Sequence, residues 1–163
     1  MFRTITPPRI RDYLAQQPAA DNLPIFTKYR HLIWQPGFVE SVGTIKAGYL
    51  IPEIYYRTAH PTRHHTIDEW VGLLGKVGKV AGTPDARRMW VFRGAARNNP
   101  HGLSWTVYHD LADEHARRIR GGVVFATRVS VPEILDLRTT PVDEMKPVEF
   151  LVDSRPHELT EVR

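Results

Sequence analysis

The sequence contains no cysteine. Disulfide scaffolding, thiolate zinc sites and a cysteine nucleophile are therefore excluded. It also has no apolar run of membrane-span length. The first residues, Met1-Phe2-Arg3-Thr4-Ile5-Thr6-Pro7-Pro8, carry no signal-peptide core. These features lead to the expectation of a cytoplasmic protein with no membrane partner. Internal repeats, low-complexity tracts and phosphate-cradling glycine loops of Walker or Rossmann type are likewise missing. Charge imbalance is small: 22 Lys and Arg against 18 Asp and Glu leave a net charge of +4. That excess favours the approach of an anionic ligand, but it is too small to argue for nucleic acid by itself.

What is present suits one globular domain. The 163 residues are enough to bury a core without staples, and 42% of them are hydrophobic. The first half reads as helices and loops, with a short helix over 9–17 and a loop over 18–24. Residues 49–56 fit either a helix or a strand. The clearest helix starts at Thr66, where Thr66 and Glu69 have the spacing of a capping box. Ile67, Trp70, Val71 and Leu74 then follow as an apolar stripe. After Pro84 the character changes. Residues 89–92 read as a strand, 94–102 as a loop, and Ala112, His115, Ala116 and Ile119 as a second short helix stopped by Gly121-Gly122. A long β run over 123–131, a short strand or strand-like turn over 134–137 and a strand over 148–152 complete the pattern. Helices followed by strands predict an α+β class in a single domain, 1–163, with a mainly helical region over 1–80 and a strand-rich core over 85–155.

Three elements carry chemistry. In the last strand, Val148, Phe150 and Val152 alternate with Glu149, Leu151 and Asp153. If the first set faces the core, Glu149 faces the other way, onto a cleft or into solvent. Arg93 ends Trp90-Val91-Phe92-Arg93 and precedes Gly94. A guanidinium fork there suits phosphate or carboxylate, and Gly94 lets a ligand reach the backbone. In Gly102-Leu103-Ser104-Trp105-Thr106, two hydroxyls flank an aromatic just before a helix. Each hydroxyl is suited either to capping the turn or to bonding a ligand or a neighbouring carboxylate.

The order of these elements resembles the Arg-Ser-Glu branch of the ADP-ribosyltransferases, most of all its small bacterial and phage-type members. The likeness runs through Val91-Phe92-Arg93-Gly94-Ala95, Gly102-Leu103-Ser104-Trp105-Thr106, the run ending Val129-Ser130-Val131-Pro132-Glu133-Ile134-Leu135, and Val148-Glu149-Phe150-Leu151-Val152-Asp153. The Ile67-Asp68-Glu69-Trp70 helix fits one that those proteins carry upstream. The resemblance spans roughly residues 50–155.

The resemblance implies a split β-sheet core behind a helical N-terminal region, with NAD as substrate and no metal. It implies that Arg93 holds the NAD phosphate or the adenosine-side ribose, and that Gly94 offers its backbone to the nicotinamide carboxamide. Ser104 and Thr106 support the cleft, with Trp105 between them. Glu149 bonds the 2′-OH of the nicotinamide ribose. Arg93, Ser104 and Glu149 form the catalytic set, and Tyr108 or Phe125 is placed to stack on the nicotinamide. The acceptor of ADP-ribose is an unidentified macromolecule, protein or nucleic acid. Members that modify arginine carry Glu or Gln two residues before the catalytic Glu, whereas this chain has Pro147 there. Water as acceptor would make the protein an NAD glycohydrolase, and a non-catalytic binding or inhibitor module on the same fold is the other alternative.

Other groups invite simpler readings. His60, His64 and His65 precede the Thr66 cap without nearby carboxylates, so a loop is favoured over a metal site. His109 and His115 are read as surface or core groups. Arg117, Arg118 and Arg120 complement a helix end, and the arginines 57, 63, 87, 88 and 97 read as solvated surface.

Overall fold

The computed structural model describes residues 29–77, 88–139 and 147–162. The helix expected over 9–17 and the loop over 18–24 lie outside the described residues. The chain divides into two compact units, with the boundary between Gly78 and Lys79. The architecture is mixed α+β, with helices and two small antiparallel sheets. Among the described residues no helix is long and apolar enough to cross a membrane.

The first unit is helical. It contains α1 (Phe38–Val42), α2 (Thr44–Arg57) and α3 (Ile67–Gly75). Residues 49–56 thus belong to a helix, although Pro52 inside it donates no bond to the preceding turn. The capping box forms as the spacing requires. Thr66 N–H donates to Glu69 Oε2 over 2.6 Å, and Glu69 N–H donates to Thr66 Oγ1 over 3.2 Å. The buried stripe of α3 is Trp70, Leu73 and Leu74, while Ile67 and Val71 are only half-buried. The expected stripe was therefore rotated towards the wrong shoulder, and Leu73 was missed. Trp70 is common to both stripes and sits at the centre of the buried face. Its ring meets Trp34 at 4.7 Å and Tyr55 at 5.0 Å, both edge-on, and its indole N–H donates to the Pro61 carbonyl. This one large side chain anchors the buried face of the helix.

The second unit is three layers deep. One sheet has the order β1-β3-β6, formed by β1 (Arg88–Ala96), β3 (Gly122–Ser130) and β6 (Thr160–Val162). The other has the order β2-β5-β4, formed by β2 (Ser104–Trp105), β5 (Pro147–Val152) and β4 (Ile134–Thr139). Between them lies a core of Val91, Ala95, Phe125 and Val129 from the first sheet and Trp105, Ile134, Phe150 and Val152 from the second. On the opposite face of the first sheet packs α4 (His109–Arg117), where Ala112 and Ala116 meet Val124, with Phe92 and Val162 alongside. Two alternating faces in β1 therefore serve two different layers. Each fully buried side chain of this size contributes about 1.5–3 kcal/mol of transfer free energy.

Two differences from the sequence reading concern boundaries, and a third is an added strand. β1 does not stop at Phe92 but continues through Gly94 to Ala96, because its register with β3 runs on to Gly122. The helix behind it ends at Arg117 rather than at the glycines, and Gly121 takes the left-handed φ of 67° in the turn that follows. A further strand, β6, follows β5 and pairs with β3. It is only three residues long, with two of them exposed, so it carries almost no apolar alternation to read.

Candidate active site

The site is set by where the two sheets part. In β1, the Phe92 N–H donates to the Thr106 carbonyl over 2.6 Å, and the Thr106 N–H returns a bond of 2.9 Å to Phe92. Phe92 therefore points its backbone groups away from β3, and residues two apart on a strand share that direction. Gly94 likewise turns its N–H and C=O away from β3, towards the β2 side. On β2 the same logic applies. The Val152 N–H donates to the Leu103 carbonyl over 2.8 Å, so Ser104, opposite Leu151, turns its carbonyl away from β5. Continued in the Phe92–Thr106 register, the next pair would be Gly94 opposite Ser104. Arg93 instead occupies the Ser104 edge, with Nη1 donating to the Ser104 carbonyl over 3.0 Å. A guanidinium takes the position of a strand there.

Ser104 links this edge to Glu149. The two residues lie on one face of the β2–β5 pair, since Ser104 opposes Leu151 and Glu149 is its diagonal neighbour. Ser104 Oγ donates a short hydrogen bond to Glu149 Oε1. Ser104 does not cap α4. That turn is served by Thr106, whose Oγ1 accepts from the Tyr108 N–H over 3.1 Å. The choice between capping and carboxylate contact is thus resolved separately for each hydroxyl. Arg93, Ser104 and Glu149 form one connected run, with Gly94 beside it.

The remaining sequence candidates divide. Trp105 is a core side chain, 1% exposed, and its indole N–H donates to the Gly102 carbonyl over 2.8 Å. Phe125 lies in the inter-sheet core and is 8% exposed, so its ring offers little face to any ligand. Tyr108, at the N-terminus of α4, is 38% exposed and keeps an accessible ring. Gly94 has a second reason to be glycine. A Cβ there would lie 2.2 Å from the Ala112 carbonyl oxygen and 2.5 Å from the Ala116 nitrogen, so α4 presses directly on the strand.

Two neighbours of Arg93 were not among the site residues read from the sequence. Gly102 lies against the guanidinium, and a Cβ on it would be 2.3 Å from Nη2 and 2.5 Å from Cζ. The only hint was a glycine two residues before the hydroxyl element. His115, on α4, is held below its ordinary pKa of 6.5, first by lost hydration and then by the positive charges of Arg93 and Arg118. Its helical spacing to Ala112 and Ala116 indicated a packing position, not a charged neighbour on another strand.

The other groups fit ordinary roles. His65 stacks on Trp34 at 3.7 Å and lies 3.8 Å from Glu69. Among the described residues no group of three metal-ligating side chains assembles. His109 meets the edge of Phe92 at 5.4 Å. Arg57 pairs with Glu53, Arg97 with Glu161, Arg117 with Asp113 and Arg118 with Glu114. Arg87 lies outside the described residues.

No family model, curated protein or solved structure matches the chain.

Proposed function

We propose that the chain is an ADP-ribosyltransferase that binds NAD where β1 and β2 diverge and breaks its nicotinamide–ribose bond. The observation that carries this reading is the connected run from Arg93 Nη1 to the Ser104 carbonyl and from Ser104 Oγ to Glu149 Oε1. Bond cleavage builds positive charge on the ribose, as in glycoside hydrolysis. A carboxylate held in place before the reaction stabilises that charge without reorganising. In this reading Ser104 fixes the Glu149 carboxylate, Arg93 steers the pyrophosphate, and the outward N–H and C=O of Gly94 receive the carboxamide. Arg93 and Gly94 act by orienting the dinucleotide.

Pro147 supports a choice among acceptors. It opens β5 two residues before Glu149 and has no side-chain donor or acceptor to engage an arginine. The acceptor in this reading is another group on a protein or nucleic acid. Water is the second reading, favoured by the same residue, and would make the enzyme an NAD glycohydrolase. Labelled NAD incubated with the protein, with and without cell lysate, tests the proposal. Label transfer or nicotinamide release that is lost in Glu149→Gln supports catalysis, and release without transfer selects hydrolysis. No turnover in the wild type would leave the fold as a binding module and overturn the enzymatic reading.

A further inference from the structure

We propose that Gly102 is a positioning residue whose missing side chain sets the place of the Arg93 guanidinium. Its functional consequence rests on the reading above, but its structural content does not. Three contacts define the arrangement. The Gly102 Cα faces the guanidinium so closely that a Cβ would fall 2.3 Å from Nη2, 2.5 Å from Cζ and 3.0 Å from Nη1. The Gly102 carbonyl accepts the Trp105 indole N–H over 2.8 Å, and Trp105 is buried to 1% exposure in the inter-sheet core. Two residues on, the Ser104 carbonyl accepts Arg93 Nη1. The short turn 102–105 is therefore anchored by one buried indole, and it presents the guanidinium with a flat backbone surface and one acceptor.

The nearby glycines separate two kinds of requirement. At Gly94 the atoms that a Cβ would strike are backbone atoms of α4, which cannot move without shifting the helix. At Gly102 they are the far end of a flexible side chain, which can swing away at little cost. The φ of Gly102 is not among the left-handed values, so alanine fits its backbone conformation. The absence of a Cβ at Gly94 is thus required by the fold, whatever its backbone groups bind. Gly102 serves the placement of a charge. An alanine there leaves the fold intact and expels the guanidinium from the Ser104 edge. Trp105 acts one step further back, by holding the Gly102 peptide.

The test compares full-length wild type with Gly102→Ala, Trp105→Phe and, as the structural contrast, Gly94→Ala. In Gly102→Ala, KM for NAD rises about tenfold or more, as expected for losing a placed charge-assisted bond, and kcat changes less. Its Tm stays within about 2 °C of wild type. Trp105→Phe shifts KM in the same direction by a smaller factor, and Gly94→Ala, compared by Tm alone, lowers Tm where Gly102→Ala does not. A KM unchanged in Gly102→Ala, or a collapse of its Tm, overturns the proposal. The Arg93 Nε–H resonance, assigned by its loss in Arg93→Lys, gives a readout that needs no NAD turnover. It moves in Gly102→Ala if the guanidinium is displaced, and an unmoved resonance overturns the proposal even if the wild type proves inactive. Wild-type inactivity with a moved resonance refutes only the NAD reading.

Discussion

Arg93 Nη1 donates to the Ser104 carbonyl over 3.0 Å, at the edge of β2 where the register begun at Phe92 and Thr106 would otherwise place Gly94. A backbone acceptor that a neighbouring strand would normally satisfy is satisfied by a side chain instead. The sheets can therefore part there without leaving that carbonyl unpaired.

Glu149→Gln keeps the shape of the side chain and removes its charge. If the carboxylate stabilises the ribosyl cation, NAD cleavage falls by about two to three orders of magnitude. Ser104→Ala keeps the charge and removes only its orienting hydroxyl, so its loss is about tenfold. Steady-state nicotinamide release on the two variants checks the order, and equal losses would refute a purely orienting role for Ser104.

Gly94→Ala forces a methyl group into the backbone of α4 at Ala112 and Ala116. Overpacking of this kind costs about 1–3 kcal/mol. Urea denaturation followed by circular dichroism measures it, and an unchanged midpoint would mean that α4 yields more easily than its packing implies.

Phe150 is fully buried between the sheets, whereas Trp90 is 53% exposed on β1 beside Arg128. Phe150→Ala is expected to cost about 3–5 kcal/mol. Trp90→Ala is expected to cost less than about 1 kcal/mol, chiefly the exposed cation–π contact. Denaturation midpoints of the pair test which face of each strand is core.

The imidazole of His115 has a folded pKa below 6.5 because of lost hydration, Arg93 and Arg118. Between that folded value and 6.5 the unfolded chain binds more protons than the folded one, so stability falls as pH drops through this window and recovers above it. Below the folded pKa the loss is complete. Tm measured against pH in wild type and His115→Gln checks the sign, and this part of the slope is expected to vanish in the variant. An identical slope in both would assign it to other groups.

Much of the strand-rich half was legible because alternation is a strong signal. Val148, Phe150 and Val152 against Glu149 and Leu151 pointed to β5 and to the side on which Glu149 sits, and Thr66 with Glu69 marked the start of α3. The β2–β5 pair then brings Ser104 to Glu149, a contact between residues far apart in sequence that no local pattern encodes. The burial of the Trp105 side chain between the sheets was not legible, because a two-residue strand is too short to show which face is buried. Gly102 was passed over because a missing side chain gives no pattern, and its reason lies in Arg93, on another strand. Leu73 was missed because either shoulder of the Trp70–Leu74 line could be buried, and tertiary packing decides between them.

The two sheets share one backbone bridge among the described residues, the pair of hydrogen bonds between Phe92 and Thr106. A small tilt of one sheet against the other would pivot there and strain two bonds, each worth about 0.5–1.5 kcal/mol, instead of unzipping a ladder. The packed aromatic and aliphatic side chains between the sheets would act as the restoring spring. The width of the gap at Gly94 and Ser104 is then a compliant dimension, and in the proposed reading a dinucleotide wider than the resting gap would be admitted by leverage about a single stitch.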